Sequence, residues 1–405
     1  MATRSGVAHS TKQDSYLAGQ ELANKALQNA GIEKCNFALV FASVEHRVEK
    51  LLEGIKSIIG PGSHIMGATS PGILTNDFLS YEGMLAGILV VASDSITFSS
   101  CRTGNLNEGL EIIGKRFGKE LKGLLGGSDS NLLLIYDAIV KGNTEAMDFH
   151  IASPLISEIE SEIGKWPPVA GVGIVDIVRP QEIRMWDKNA IVESEIMGLV
   201  IKGNVRMDTT IMHGCKPASD YHRITRMEGN RLLEVNNRPA LDLVRDYLGE
   251  PDEVDWTSIT SLITIGVNRG DKYGPFLEEN YVNRMVAGID KKSGALILAE
   301  TDLKEGEEFQ FMRRSIETDM VGVEARKLLD SLDNRKPLFA LYISCLGRVK
   351  KLYGSENEEG DKVREALCDI PLLGIYSGVE IARVRGKVIP LDWTGVLCVF
   401  SEEKY

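Results

Sequence analysis

Basic charge, paired cysteines and long apolar runs are scarce in this 405-residue sequence. It carries 46 lysines and arginines against 58 aspartates and glutamates, a net charge of −12. That balance argues against a nucleic-acid partner, whose phosphates demand a basic face. It argues equally against an anionic membrane surface. The six cysteines (Cys35, Cys101, Cys215, Cys345, Cys368 and Cys398) stand alone without a CxxC spacing, which excludes a disulfide framework or a zinc site built on paired thiols. The six histidines lie far apart, with no HExxH, so paired imidazoles on one helix are absent too. No metal and no cofactor is expected. No stretch approaches the roughly 18 to 20 apolar residues that span a bilayer. The opening "MATRSGVAHSTKQDSY" lacks the apolar core of a secretory leader. A cytoplasmic chain with reduced thiols is the expectation.

What is present is a repeat. The segments "HIMGATSPGIL" (64–74), "PPVAGVGIVDI" (167–177) and "IPLLGIYSGVEI" (370–381) each end an apolar strand in glycine. A second glycine strand follows each, 20, 27 and 21 residues on from Gly67, Gly171 and Gly374. Upstream, "NFALVFAS", "NLLLIYDA" and "PLFALYIS" are short apolar runs that read as buried strands. Amphipathic helices precede and follow each of these runs. The unit is therefore helix, strand, helix, strand, glycine loop, strand, at about 11–99, 106–204 and 317–402. Glycines recurring at equivalent places favour a scaffold role, through close backbone approach or positive φ. Between the second and third units, 205–316 has a different texture, with hairpin-like pairs at 223–236 and 285–300. These features predict an α+β fold, with layered helices on mixed or antiparallel sheets and two sheets packed between helix layers.

Several chemical motifs fail on inspection. Ser70 cannot head a nucleophile elbow, because Pro71 follows it and has no N–H for an oxyanion. In "GVGIVD", Asp176 stands where a dinucleotide fingerprint needs its last glycine. The acidic "GSENEEGDK" (354–362) lacks EF-hand spacing and reads as a solvated loop. Cys345 in "YISCLGR" sits three residues before Arg348, and Cys215 in "HGCKP" has His213 beside it. Either thiol is a candidate nucleophile if a cation lowers its pKa, set against the plainer reading of a small buried residue.

Near the C-terminus, "CLGR" (345–348), "IPLLGIYSGVEI" and "DWTGVLCVF" together resemble the closing half of the FIST proteins, a family of intracellular sensory domains. Cys345 and Arg348, then Gly374, Tyr376 and Glu380, then Thr394 match the family's pattern. Val379 stands before Glu380 with glycine displaced to Gly378, and Asp392 occupies an asparagine place. The N-terminal half is similar to the same family's first domain. An N-terminal helix over 1–32 is expected to pack on the first domain, and the resemblance implies that this domain spans 33–235 and a second 236–405. It also implies small-ligand sensing, of amino acids or other small carboxylates, feeding a signalling partner. The expected ligand-binding residues are Arg348, Glu380, Tyr376, Cys345, Gly374, Ser377, Gly67 and Ser70. Arg348 offers a fork for a carboxylate, Glu380 a partner for an ammonium, and Tyr376 a cover for an apolar side chain. The opposing reading pairs Arg348 with Glu380 as a tie between strand ends. A protein-interaction scaffold and a cysteine-dependent enzyme are the remaining alternatives.

Overall fold

The computed structural model describes residues 2–126, 129–141, 148–248, 263–315, 317–353 and 355–403. Alternation along the central strands decides its layers. In Phe37–Ala42, Phe37, Leu39 and Phe41 face a core shared by all three repeats, while Ala38, Val40 and Ala42 face a helix pair. Lys336–Cys345 behaves the same way, with Phe339, Leu341 and Ile343 inward and Ala340 and Tyr342 outward. Three six-stranded sheets thus turn one face to a common centre, and the helices lie outside.

Each sheet is built by one rule. Two parallel strands form its middle: Phe37–Ala42 with His64–Thr69, Ser130–Asp137 with Val169–Ile174, and Lys336–Cys345 with Leu372–Ser377. The unit's last strand (Ala86–Ala92, Glu195–Gly203 or Gly395–Glu402) lies antiparallel to the first of the pair. A leading strand (Arg4–Ser10, Ile96–Gly104 or Arg206–Met212) closes that edge. Residues 4–10, grouped with the leading helix in the sequence reading, are therefore a sheet edge.

The other edge comes from a different unit. The hairpin Met185–Asp187/Ala190–Val192 of the second unit completes the first sheet. Val379–Val384/Lys387–Leu391 of the third completes the second sheet. Ile73–Leu74/Leu79–Ser80 of the first completes the third. The exchange is cyclic. It also explains the repeated glycines: Gly67 pairs with Trp186, Gly171 with Ile381 and Gly374 with Leu74, each across the seam where a foreign hairpin docks. A Cβ on Gly374 would stand 2.8 Å from Leu74 Cβ, and one on Gly171 would stand 3.1 Å from Ile381 Cβ. On Gly67 it would run into the Val40 carbonyl oxygen. These glycines are scaffold.

The region of different texture is an antiparallel barrel inserted into the third unit, between Arg206–Met212 and the helix Asp319–Asp330. Among the described residues its sheet has eight strands, and Ile263–Asn268 pairs back onto Glu308–Arg314 to close it. Ile224, Leu232, Ile265, Val286, Leu298, Phe309 and Phe311 fill its interior. Both expected hairpins are present, as His222–Glu228/Arg231–Val235 and Tyr281–Asp290/Ala295–Leu298. The fold is α+β with mixed and antiparallel sheets, but with three sheets around a centre plus a barrel rather than two sheets in layers. A hundred-residue repeat used three times cannot be closed by pairing two. Among the described residues no helix is long and apolar enough to cross a membrane.

Candidate functional site

The parallel strands Lys336–Cys345 and Leu372–Ser377 end side by side, with Cys345 opposite Ser377. Beyond them the chain crosses to the second sheet at Gly378, whose N–H donates to the Gly173 carbonyl at 3.0 Å. Gly378 is pressed on Val175, and no Cβ fits between them. The displaced glycine is thus the pivot of the crossing. Where these strand ends meet the barrel there is a cavity of about 680 Å³. The third unit lines it with Cys345, Leu346, Ser377, Val379, Asp392 and Trp393, and the second with His150, Val175 and Ile177. The barrel adds Met285, Ala287, Leu298 and Glu300. Its surface is mainly apolar, and no lysine or arginine among the described residues lines it.

Asp392 and Trp393 reach the cavity from a strained loop. Trp393 has φ +55°, a left-handed conformation that a bulky side chain seldom adopts unless its surroundings impose it. Several bonds impose it here. Arg348 Nη1 donates to the Trp393 carbonyl at 2.7 Å, and Cys345 N–H donates to the Thr394 carbonyl at 3.1 Å. Thr394 Oγ1 donates to the Asp392 carbonyl at 2.8 Å, and Thr394 N–H donates to Glu380 Oε2 at 3.3 Å. The Arg314 guanidinium lies 3.9 Å from the centre of the Trp393 ring.

The sequence-predicted residues divide between this site and its supports. Cys345 and Ser377 line the cavity. Glu380 is buried behind Ser377, whose Oγ donates to Glu380 Oε1 at 2.6 Å. Burial, with Asp392 adding its charge, pushes the Glu380 carboxyl well above the usual range. Arg348 is buried and takes neither role foreseen for it. Its fork holds Glu359 at 2.8 and 2.5 Å through Nε and Nη2, and its Nη1 reaches the His213 and Trp393 carbonyls. It pairs with Glu359, not Glu380. The acidic stretch read as a solvated loop contains two buried carboxylates: Glu359, because the Arg348 charge needs a partner once it leaves water, and Glu358, which accepts the Tyr81 hydroxyl at 2.9 Å.

Tyr376, Ser70 and Gly374 sit away from the cavity, at the seam of the third and first units. Ser70 Oγ donates to the Tyr376 carbonyl at 3.2 Å, and Tyr376 stands edge-on to Tyr81. Gly67 belongs to the seam of the first and second units. The candidate thiols are not activated. Burial and Glu380 push Cys345 up, and burial pushes Cys215 up to about 12. His213 Nδ1 accepts the Cys215 backbone N–H at 3.0 Å instead of the thiol proton.

The residues missed from sequence are Glu300, Asp392 as a cavity group, and Trp393. Glu300 Oε1 accepts Ala152 N–H at 3.1 Å, and its Oε2 accepts Ser153 N–H at 3.0 Å and Ser153 Oγ–H at 2.5 Å. It thereby caps the helix Ala152–Ile163 from the barrel side. Asp392 Oδ2 accepts Met285 N–H at 2.9 Å, with Arg284 at 4.0 Å already bonded to Asp302. Burial raises Glu300 to about 7, helped by Asp392, and raises Asp392 to about 6. The one signal in the sequence was Asp392 standing in an asparagine place; Glu300 merely follows an apolar run.

Comparison with known proteins agrees with the motifs. The FIST N domain model matches residues 36–238 and the FIST C domain model residues 240–383. Both domains are associated with sensing in signal transduction. An uncharacterized protein of Mycobacterium bovis is 22% identical over 99% of both chains. Another from Mycobacterium tuberculosis is 23% identical over 98% of this chain and 100% of its own. A third, from Methanocaldococcus jannaschii, is 21% identical over 95% of this chain and 77% of its own. Among solved structures, cyanuric acid hydrolase from A. caulinodans aligns over 99% of this chain and 100% of its own, with 7% identity and a TM-score of 0.38. That likeness is too weak to carry an argument.

Proposed function

The chain belongs to the FIST family, and from that premise we propose that it is a cytoplasmic sensory protein whose small-molecule ligand occupies the cavity between the barrel and the second and third units. The observation that carries the reading is the strained Asp392–Trp393 loop, held by four buried hydrogen bonds so that both side chains border a space of about 680 Å³. Such strain is retained where a site depends on it, and the volume suits a small ligand. The cavity wall comes from separate elements, the barrel on one side and a crossing hairpin on the other. A ligand touching both draws them together, which is the change a sensor needs.

The test is a thermal-shift screen of small molecules against wild type and a cavity-filling Ala287→Trp variant. A ligand at 100 times its Kd stabilises by about 2.7 kcal/mol. Hits that shift wild type and not the variant support the cavity; hits that shift both proteins alike place the ligand elsewhere. A second reading, a protein-interaction surface for a signalling partner, rests on the apolar rim. Phe149, Ile177 and Leu352 border the cavity mouth half-exposed, and Val178 beside them is 81% exposed. Val178→Asp should then abolish a partner cross-link formed by wild type and leave any ligand shift intact.

A further inference from the structure

We propose that the ligand of this cavity is a primary amine, its ammonium seated on Asp392 and its apolar body against Trp393, Val379, Leu346 and Leu298. This rests on the cavity being the ligand site and names the class it selects.

Asp392 is 3% exposed, yet only half satisfied. Oδ2 takes the Met285 N–H, while Oδ1 accepts no hydrogen bond among the described residues. Asp392 borders the cavity, so a carboxylate oxygen there without a protein donor is open to one supplied by a ligand. The charges around it do not supply one. Arg284 is bonded through Nε and Nη2 to Asp302, and through Nη1 to the Asn283 and Pro390 carbonyls. Arg348 is closed by Glu359. Glu300 faces Asp392 as a further acid, while Glu380, Cys345 and Tyr136 beside them are held neutral by burial and offer no positive charge. A ligand carboxylate would enter this field as a like charge, with no lysine or arginine on the described wall to receive it. An ammonium brings three donors and the opposite charge. The amine end of an amino acid fits this wall; its carboxylate end does not.

The probe is a calorimetric panel of primary amines, from methylamine to 2-phenylethylamine and tryptamine, each beside its alcohol and carboxylate counterparts, at pH 8. The expected result is that an apolar amine binds at least tenfold tighter than its alcohol, with the carboxylate weakest. Asp392→Asn, which keeps an acceptor for Met285 N–H, should erase the amine's advantage. Wild type alone gives an independent arm: amine affinity falls as pH drops through about 7 and then about 6, where Glu300 and then Asp392 take up their protons, while alcohol affinity holds. An alcohol or carboxylate that binds as well as its amine overturns the class, and so does a panel in which no amine binds. The Ala287→Trp comparison tells the two failures apart. Cavity-dependent hits that are not amines leave the site standing and the class refuted; hits indifferent to that substitution refute both.

Discussion

Glu300, Glu359, Glu380 and Asp392 are buried around the strand ends of the third unit, and the partner of each decides its work. Glu359 holds Arg348, and Arg348 in turn fixes the carbonyls of Trp393 and His213. Arg348→Ala strands Glu359 as an uncompensated buried charge, a loss of roughly 3–5 kcal/mol. Urea denaturation should show it as a lowered midpoint with an unchanged slope. The double variant Arg348→Met/Glu359→Leu should recover part of that loss and no more, because the two carbonyls remain without donors. A neutral Arg348→Ala would remove the anchoring role assigned here. Glu300 makes a different prediction. Its folded pKa is raised from 4.5 to about 7, so its contribution is complete below about pH 4.5 and is lost as pH rises through 7, a swing on the order of 3 kcal/mol. Glu300→Gln has no such titration. The stability of wild type minus variant should therefore decline steadily from pH 5 to pH 8, and parallel curves would contradict the raised pKa.

At the level of elements, the exchanged hairpins put a packing limit on three glycines. Gly374→Ala brings a methyl within 2.7 Å of Leu74 Cδ2, and Leu74 is itself buried, so overpacking should cost roughly 1–3 kcal/mol. Gly123 is the control. It lies exposed in the helix Leu110–Leu125 with nothing within 4 Å of an added Cβ, so Gly123→Ala should stabilise by roughly 0.5–1 kcal/mol. Thermal midpoints moving in opposite directions are the expected pair; a harmless Gly374→Ala would mean the seam is loosely packed. The same contrast marks what the sequence discloses. Helices such as Ser15–Ala30, with Leu22, Ala26 and Leu27 on one face and Gly31 at its stop, declare themselves locally. The central strands do so through their apolar runs. Which edge a hairpin joins depends on residues some 300 positions away, as Ile73 meets Ile375, and no local periodicity records that. The site was half legible for the same reason. Cys345, Ser377 and Glu380 share one motif-bearing stretch of fold, but Glu300 and Met285 reach the cavity only because the barrel folds over it.

Across the whole molecule, the cyclic exchange leaves no place to cut the chain into self-sufficient halves. Division at residue 204 leaves the first sheet complete, since its borrowed hairpin, 185–192, lies on the same piece. The second sheet loses 379–391, exposing Val169–Ile174 as an apolar edge. The third loses 73–80, exposing Leu372–Ser377. Bare edges of this kind aggregate. Fragments 1–204 and 205–405 expressed separately should therefore be insoluble or poorly packed, and co-expression should restore a complex with the full-length melting profile. The intact chain should unfold in one transition, because the three sheets share one core as well as their hairpins. Two separate transitions, or a soluble folded 205–405, would show that the seams are weak. The seam between the second and third units carries the cavity on its crossing hairpin. If the ring is as tightly joined as its glycines imply, ligand binding at that one seam should raise the midpoint of the whole transition rather than of part of it, a distinction that calorimetry of the intact chain with a bound amine reads directly.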